Sequence, residues 1–191
     1  MLLGDTYEVE VKIAIDSCDE MEQRILNVGA EKINREVQID SYYDHPCRTF
    51  QDTDEALRVR SRQPLGKEEA DSRNGLVELT YKGPKIDSTT KTRIESSAML
   101  NDSVEITSIL ENLSFKLVAN VTKKRQFFSL PSITISIDDV EDVGLFMELE
   151  SVVKIKDVDH ARENIFTLME KLGLDPSQSI RESYLELYMK R

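Results

Sequence analysis

Tyr7-Glu8-Val9-Glu10-Val11-Lys12-Ile13 places a charged side chain at every second position. A β-strand has a side-chain period of two, so Glu8, Glu10 and Lys12 share one face while Val9, Val11 and Ile13 share the other. The apolar face has to pack against something. The charged face lines either bulk solvent or a polar cavity, and one strand fits both. Two carboxylates two residues apart, followed by a lysine, also make a cradle for a hard divalent cation and the anion it carries. What separates these readings is whether other strands repeat the pattern.

They do. Arg58 and Arg60 share a face opposite Leu57 and Val59, and Glu78, Thr80 and Lys82 share one opposite Val77, Leu79 and Tyr81. Arg93 pairs with Glu95 opposite Ile94, and Lys123 with Arg125, where the other face is less clean. Asp138 lies with Thr134 and Ser136 opposite Ile133, Ile135 and Ile137, and Glu148 pairs with Glu150 opposite Met147 and Leu149. Solvated outer faces of an antiparallel sheet show the same alternation. Two features point inward instead. Arginine, suited to bidentate phosphate recognition, outnumbers lysine at these positions. With Glu78 and Glu95 set aside, the faces also carry seven Lys/Arg against Glu8, Glu10, Asp138, Glu148 and Glu150, in a chain whose formal net charge is −11. A cationic lining inside an acidic protein calls for an anion, and inward-turned faces make a polar barrel interior held open by substrate and metal.

Around these strands the chain reads as one domain over residues 1–191. Strands are expected at 6–15, 32–44, 55–62, 75–82, 89–97, about 115–128, 132–139 and 145–156. Helices are expected at 17–29, at about 102–112, from Asp157 or Asp159 to Leu172, and at 178–189. Asp16 or Ser17 caps the first and Gly29 stops it. Residues 63–74, polar with Pro and Gly, read as a mobile hairpin loop. Strands that follow one another through turns give a mainly antiparallel sheet. So many in one domain predict an α+β, mainly β fold: an eight-stranded closed barrel over about 6–157, flanked by helices, two of them C-terminal over about 158–189.

At 191 residues the chain can bury a sizeable core. No apolar run approaches a membrane span, and no secretory signal is evident. The acidic balance argues against nucleic acid and anionic membranes as partners. Cys18 and Cys47, without metal-ligand spacing, fit reduced thiols in a cytoplasmic protein. The closing helix, with Ile180, Tyr184, Leu187 and Tyr188, suits plugging one end of its own barrel or packing on a second subunit, so monomer and homodimer both stand.

The ordered set of motifs resembles the CYTH superfamily, the triphosphate tunnel metalloenzymes. Glu8-x-Glu10-x-Lys12 resembles its ExExK signature, Leu57-Arg58-Val59-Arg60 its LRxR strand, and Leu79-Thr80-Tyr81-Lys82-Gly83-Pro84 its LTxKGP strand and turn. Arg93-Ile94-Glu95, Lys123-Lys124-Arg125, and Asp138 with Gly144-Leu145-Phe146-Met147-Glu148-Leu149-Glu150 follow in family order. The resemblance runs from residue 6 to about 175. It implies an eight-stranded tunnel in which Glu8, Glu10, Glu148, Glu150 and Asp138 hold Mg²⁺ or Mn²⁺. Lys12, Arg58, Arg60, Lys82, Arg93, Lys123 and Arg125 would grip the triphosphate. Length and the strand Gln38-Ile39-Asp40-Ser41-Tyr42-Tyr43-Asp44 look most like the class IV adenylyl cyclase branch, which turns ATP into cyclic AMP and pyrophosphate. The alternatives are a triphosphatase and a nucleotide- or polyphosphate-binding module.

Overall fold

The period-two pattern becomes a closed barrel in the computed structural model, which describes residues 6–65, 76–85 and 92–191. The strands are β1 (Thr6–Ala14), β2 (Glu31–Asp44), β3 (Ala56–Pro64), β4 (Leu76–Lys82), β5 (Arg93–Leu100), β6 (Lys116–Leu130), β7 (Ile133–Val140) and β8 (Gly144–Lys154). They close in the order β1-β5-β4-β3-β2-β6-β7-β8, every pairing antiparallel. The seam is uneven: nine residue pairs join β1 to β8, and two, Tyr7 with Ile94 and Glu8 with Arg93, join it to β5. The expected hairpin loop lies mostly outside the described residues; β3 runs through Pro64, beyond its expected end at 62.

Four helices flank the barrel: α1 (Cys18–Asn27), α2 (Ser103–Asn112), α3 (Val158–Lys171) and α4 (Tyr184–Met189). Ser17 caps α1, its hydroxyl accepting from the Glu20 amide, and Gly29 leaves the helix at φ +88°, a conformation open to glycine. Asp102 caps α2 in the same way. The C-terminal helix is shorter than the expected 178–189. Ser183 and Glu186 form a capping box that starts it at Tyr184. Upstream, the Ile180 amide donates to the Lys12 carbonyl at 2.7 Å, fastening the segment to β1 in place of a helical turn.

The barrel is apolar outside and charged inside. Val9, Val11, Ile13, Ile135, Ile137, Met147 and Leu149 face outward and pack under α1 and α3, against Met21, Ile25, Ala161, Ile165, Leu168 and Met169. Helix α2 covers Val59 and Val77 through Leu110. A third cluster, Tyr42, Val121, Val140, Phe146 and Tyr184, seats α4. Apolar strand faces that find helices outside leave the alternate, charged positions to line the interior. Where no helix lies outside, as at Ile39 and Ile94, the outward residue stays over a third exposed. Among the described residues no helix is long and apolar enough to cross a membrane.

Candidate active site

All eight strands and the segment from Ser183 onward line one cavity of about 500 Å³. Eleven of the twelve residues singled out from sequence reach its surface: Glu8, Glu10, Lys12, Arg58, Arg60, Lys82, Arg93, Lys123, Arg125, Glu148 and Glu150. All are buried except Lys82 and Glu150, which are half-buried. The twelfth, Asp138, is fully buried and stands behind the lining.

Strand register explains the pairings. Glu10 lies across from Glu150 and Lys12 from Glu148. Arg125 lies across from Asp138, and Asp40 from Arg60. At one side Lys82 Nζ donates to both Glu8 oxygens, at 2.8 and 3.1 Å, and also reaches Glu95 Oε2 at 2.6 Å. At the other, Arg125 grips Asp138 with a bidentate fork, Nε to Oδ1 at 2.6 Å, and extends Nη2 to Glu148. Lys12 Nζ donates to the Glu182 carbonyl at 2.8 Å, lies 3.4 Å from Glu148 and sits 3.8 Å above the Tyr184 ring.

Two residues of this centre were not singled out from sequence. Asp40, fully buried, accepts from Arg60 Nε and Nη2 at 2.6 and 2.7 Å and from Lys123 Nζ at 2.9 Å. Its place on the polar alternation of β2 was a signal, but one shared with Gln38 and Asp44. Tyr184 donates its hydroxyl to Asp138 at 2.6 Å while its ring carries Lys12. In the sequence it stood only as one position of the closing helix, among those suited to plugging the barrel or packing on a second subunit.

The carboxylates titrate apart. For Glu8, burial would raise the pKa, but the charge of Lys82, hydrogen bonds with Glu10 and Lys82, and the charge of Arg93 bring it down to about 2. Glu150 is pushed up to about 7 by burial and then by the charges of Glu8 and Glu10. Carboxylates crowded until one holds its proton near neutrality are the condition a divalent cation relieves. Among the described residues no three Asp, Glu, His or Cys side chains gather closely enough to hold a metal by themselves. That still suits magnesium, which is usually bound by one or two carboxylates together with phosphate oxygens rather than by an all-protein cage. The donor set, oxygen only, fits such an ion.

The model of the CYTH domain family matches residues 6–184. A Methanocaldococcus jannaschii protein that carries a provisional adenylate cyclase name is 36% identical over 181 residues, 94% of this chain and 97% of its own. Adenylate cyclase CyaB of Aeromonas hydrophila is 25% identical over 183 residues, 95% and 88% of the two chains. Among solved structures, the PH1819 protein of Pyrococcus horikoshii superposes with a TM-score of 0.84 at 36% identity, covering 96% and 98%. HpAC1 from Hippeastrum, for which a dominant triphosphatase activity is described, shares the fold at a TM-score of 0.67 and 12% identity, covering 97% and 95%.

Proposed function

This chain belongs to the CYTH domain family, and on that footing we propose that it is a divalent-metal enzyme acting on a triphosphate, with ATP converted to cyclic AMP and pyrophosphate as the leading reaction. The observation that carries the reading is a tunnel, inside a protein of net charge −11, whose lining sets ten Lys/Arg side chains against ten Asp/Glu and draws Lys12, Arg58, Arg60, Lys82, Arg93, Lys123 and Arg125 from five strands. Lys12, Arg58, Arg60, Lys82, Arg93, Lys123 and Arg125 bind the phosphates. Arg60 and Arg125, whose guanidinium planes are fixed by Asp40 and Asp138, orient them, and charge neutralisation is stronger among side chains this buried than at an exposed surface. Glu8, Glu10, Glu148 and Glu150 are the carboxylates that would hold the metal, Mg²⁺ or Mn²⁺, one or two of them together with phosphate oxygens. Asp138 joins them only by releasing Arg125 or Tyr184. When bound, the ion supplies positive charge against the negative charge that develops on the phosphates.

The cyclase reading takes its support from the named relatives: in it the ribose 3′ oxygen attacks the α-phosphorus and pyrophosphate leaves. The triphosphatase reading uses the same residues with water as nucleophile, and HpAC1 illustrates that this fold accommodates it. A binding module is the third reading. Incubation with ATP and Mn²⁺ or Mg²⁺, with separation of products, divides them: cyclic AMP plus pyrophosphate for the cyclase, ADP plus phosphate for the triphosphatase, and tight binding without turnover for the module. Glu8→Gln or Glu10→Gln is expected to lower turnover by about a hundredfold or more, in line with the loss of a group that holds transition-state charge. Turnover that survives both changes rules the metal assignment out.

A further inference from the structure

We propose that Asp40 is a positioning residue: from behind the tunnel wall its carboxylate locks Arg60 and Lys123 into the geometry that receives the triphosphate. This rests on the triphosphate reading of the site. Asp40 has no exposed surface and does not line the cavity, whereas Arg60, Lys123 and Arg58 do. Strand β2 lies between β3 and β6, so one β2 side chain can reach a cation on each neighbour. Arg60 stands across the register from it and is held by both oxygens. Lys123 arrives from β6 at 2.9 Å, and Arg58 lies 4.0 Å from Oδ2.

A bidentate pair of this kind fixes the guanidinium plane as well as its place. An arginine without it samples several rotamers and loses that freedom on binding a phosphate. Burial would raise the Asp40 pKa, but the charges of Arg60, Lys123 and Arg58 hold its carboxyl well below the usual carboxylate range, so it stays an anion. The anion sets two effects against each other. Its charge repels a triphosphate, and its hydrogen bonds organise the side chains that bind one. Removing the charge while keeping the shape therefore gives opposite results according to which effect dominates.

The test is calorimetric titration of inorganic tripolyphosphate into the full chain, with saturating Mg²⁺ and separately in EDTA. It compares wild type, Asp40→Asn and Asp40→Glu. If Asp40 positions the cations, Asp40→Asn weakens binding about tenfold or more, although it makes the lining more cationic. Asp40→Glu, which keeps the charge and moves it by one methylene, weakens binding as well. Binding that tightens in Asp40→Asn, or is unchanged in Asp40→Glu, overturns the proposal and leaves the triphosphate reading standing. Wild type that binds tripolyphosphate in neither condition sinks the functional reading itself. Should the variants not fold, ¹⁵N–¹H spectra of the unliganded wild type decide. Arg60 is expected to show hindered, separately resolved guanidinium signals, and a freely rotating group overturns the proposal.

Discussion

Lys123 is a tunnel cation whose charge its surroundings weaken. Burial, then the repulsion of Arg60 and Arg125, outweighs the attraction of Asp40 and Asp138 and brings its ammonium down to about 7. The unfolded chain keeps an ordinary lysine, so between about pH 7 and the usual lysine range the unfolded state binds more protons than the folded one. Stability from this group therefore rises with pH across that window, and below pH 7 the cost of burying the cation is fully present. Urea melts of wild type and Lys123→Met between pH 6 and 10 are expected to show the difference moving in favour of wild type above pH 7. A constant difference would mean that Lys123 titrates normally. The candidate site divides at this scale between what a strand displays and what its neighbours supply. Glu8, Lys12 and Arg60 were legible because each shares a face with another charge two residues away. Asp40 was not, because the cations that give it meaning come from β3 and β6, and strand register is set by pairings distant in sequence.

Elements were legible wherever the pattern inside one segment fixed its packing. Strand β1 alternates cleanly, and its odd positions Val9, Val11 and Ile13 are buried under helices as the period demands. Helices α1 and α2 carry their own caps: Ser17 rather than Asp16 starts the first, and Asp102 starts the second. Helix α4 came out shorter than expected because the Ile180 bond to Lys12, a tertiary contact, competes with the first turn. Whether the charged faces point inward was decided by the helices. They cover the outward faces of β1, β7 and β8, and no single strand encodes their presence. This division predicts that damage to the helix layer costs stability and leaves the tunnel working. Ile165 on α3 is fully buried in that layer. Ile165→Ala is expected to cost about 2–5 kcal/mol in a urea melt. Tripolyphosphate affinity, measured well below the melting temperature, is expected to stay within about twofold of wild type, since α3 packs on the outward faces of β1 and β8 and contributes no side chain to the cavity lining. A parallel loss of affinity would show that the barrel wall deforms with its helices.

At the scale of the whole molecule, an interior lined with charges has to be held together with apolar filling only at the end where Tyr42, Val121, Val140 and Phe146 meet Tyr184. Asp40 and Asp138 neutralise part of the cationic set from behind, and Lys82 is shared by Glu8 and Glu95. Burial lowers the pKa of the Lys123 ammonium, and the repulsion of Arg60 and Arg125 lowers it further. A triphosphate that enters relieves that repulsion and binds the folded state alone, so its binding energy adds to the stability of the barrel. At a hundred times Kd the gain is about 2.7 kcal/mol. For a chain of this length that corresponds to a rise in Tm of about 5–11 °C. Thermal melts in tripolyphosphate should show such a rise, while sulfate at matched ionic strength should give much less, because a single tetrahedral anion meets only a few of seven cations spread over five strands. Equal rises with both anions would reduce the effect to general anion binding by a basic cavity. The comparison matters because a chain of net charge −11 offers anions little outside its cavity. A rise specific to the longer anion would therefore come from the tunnel, and it would require Lys12, Arg58, Arg60, Lys82, Arg93, Lys123 and Arg125 to act on one ligand together.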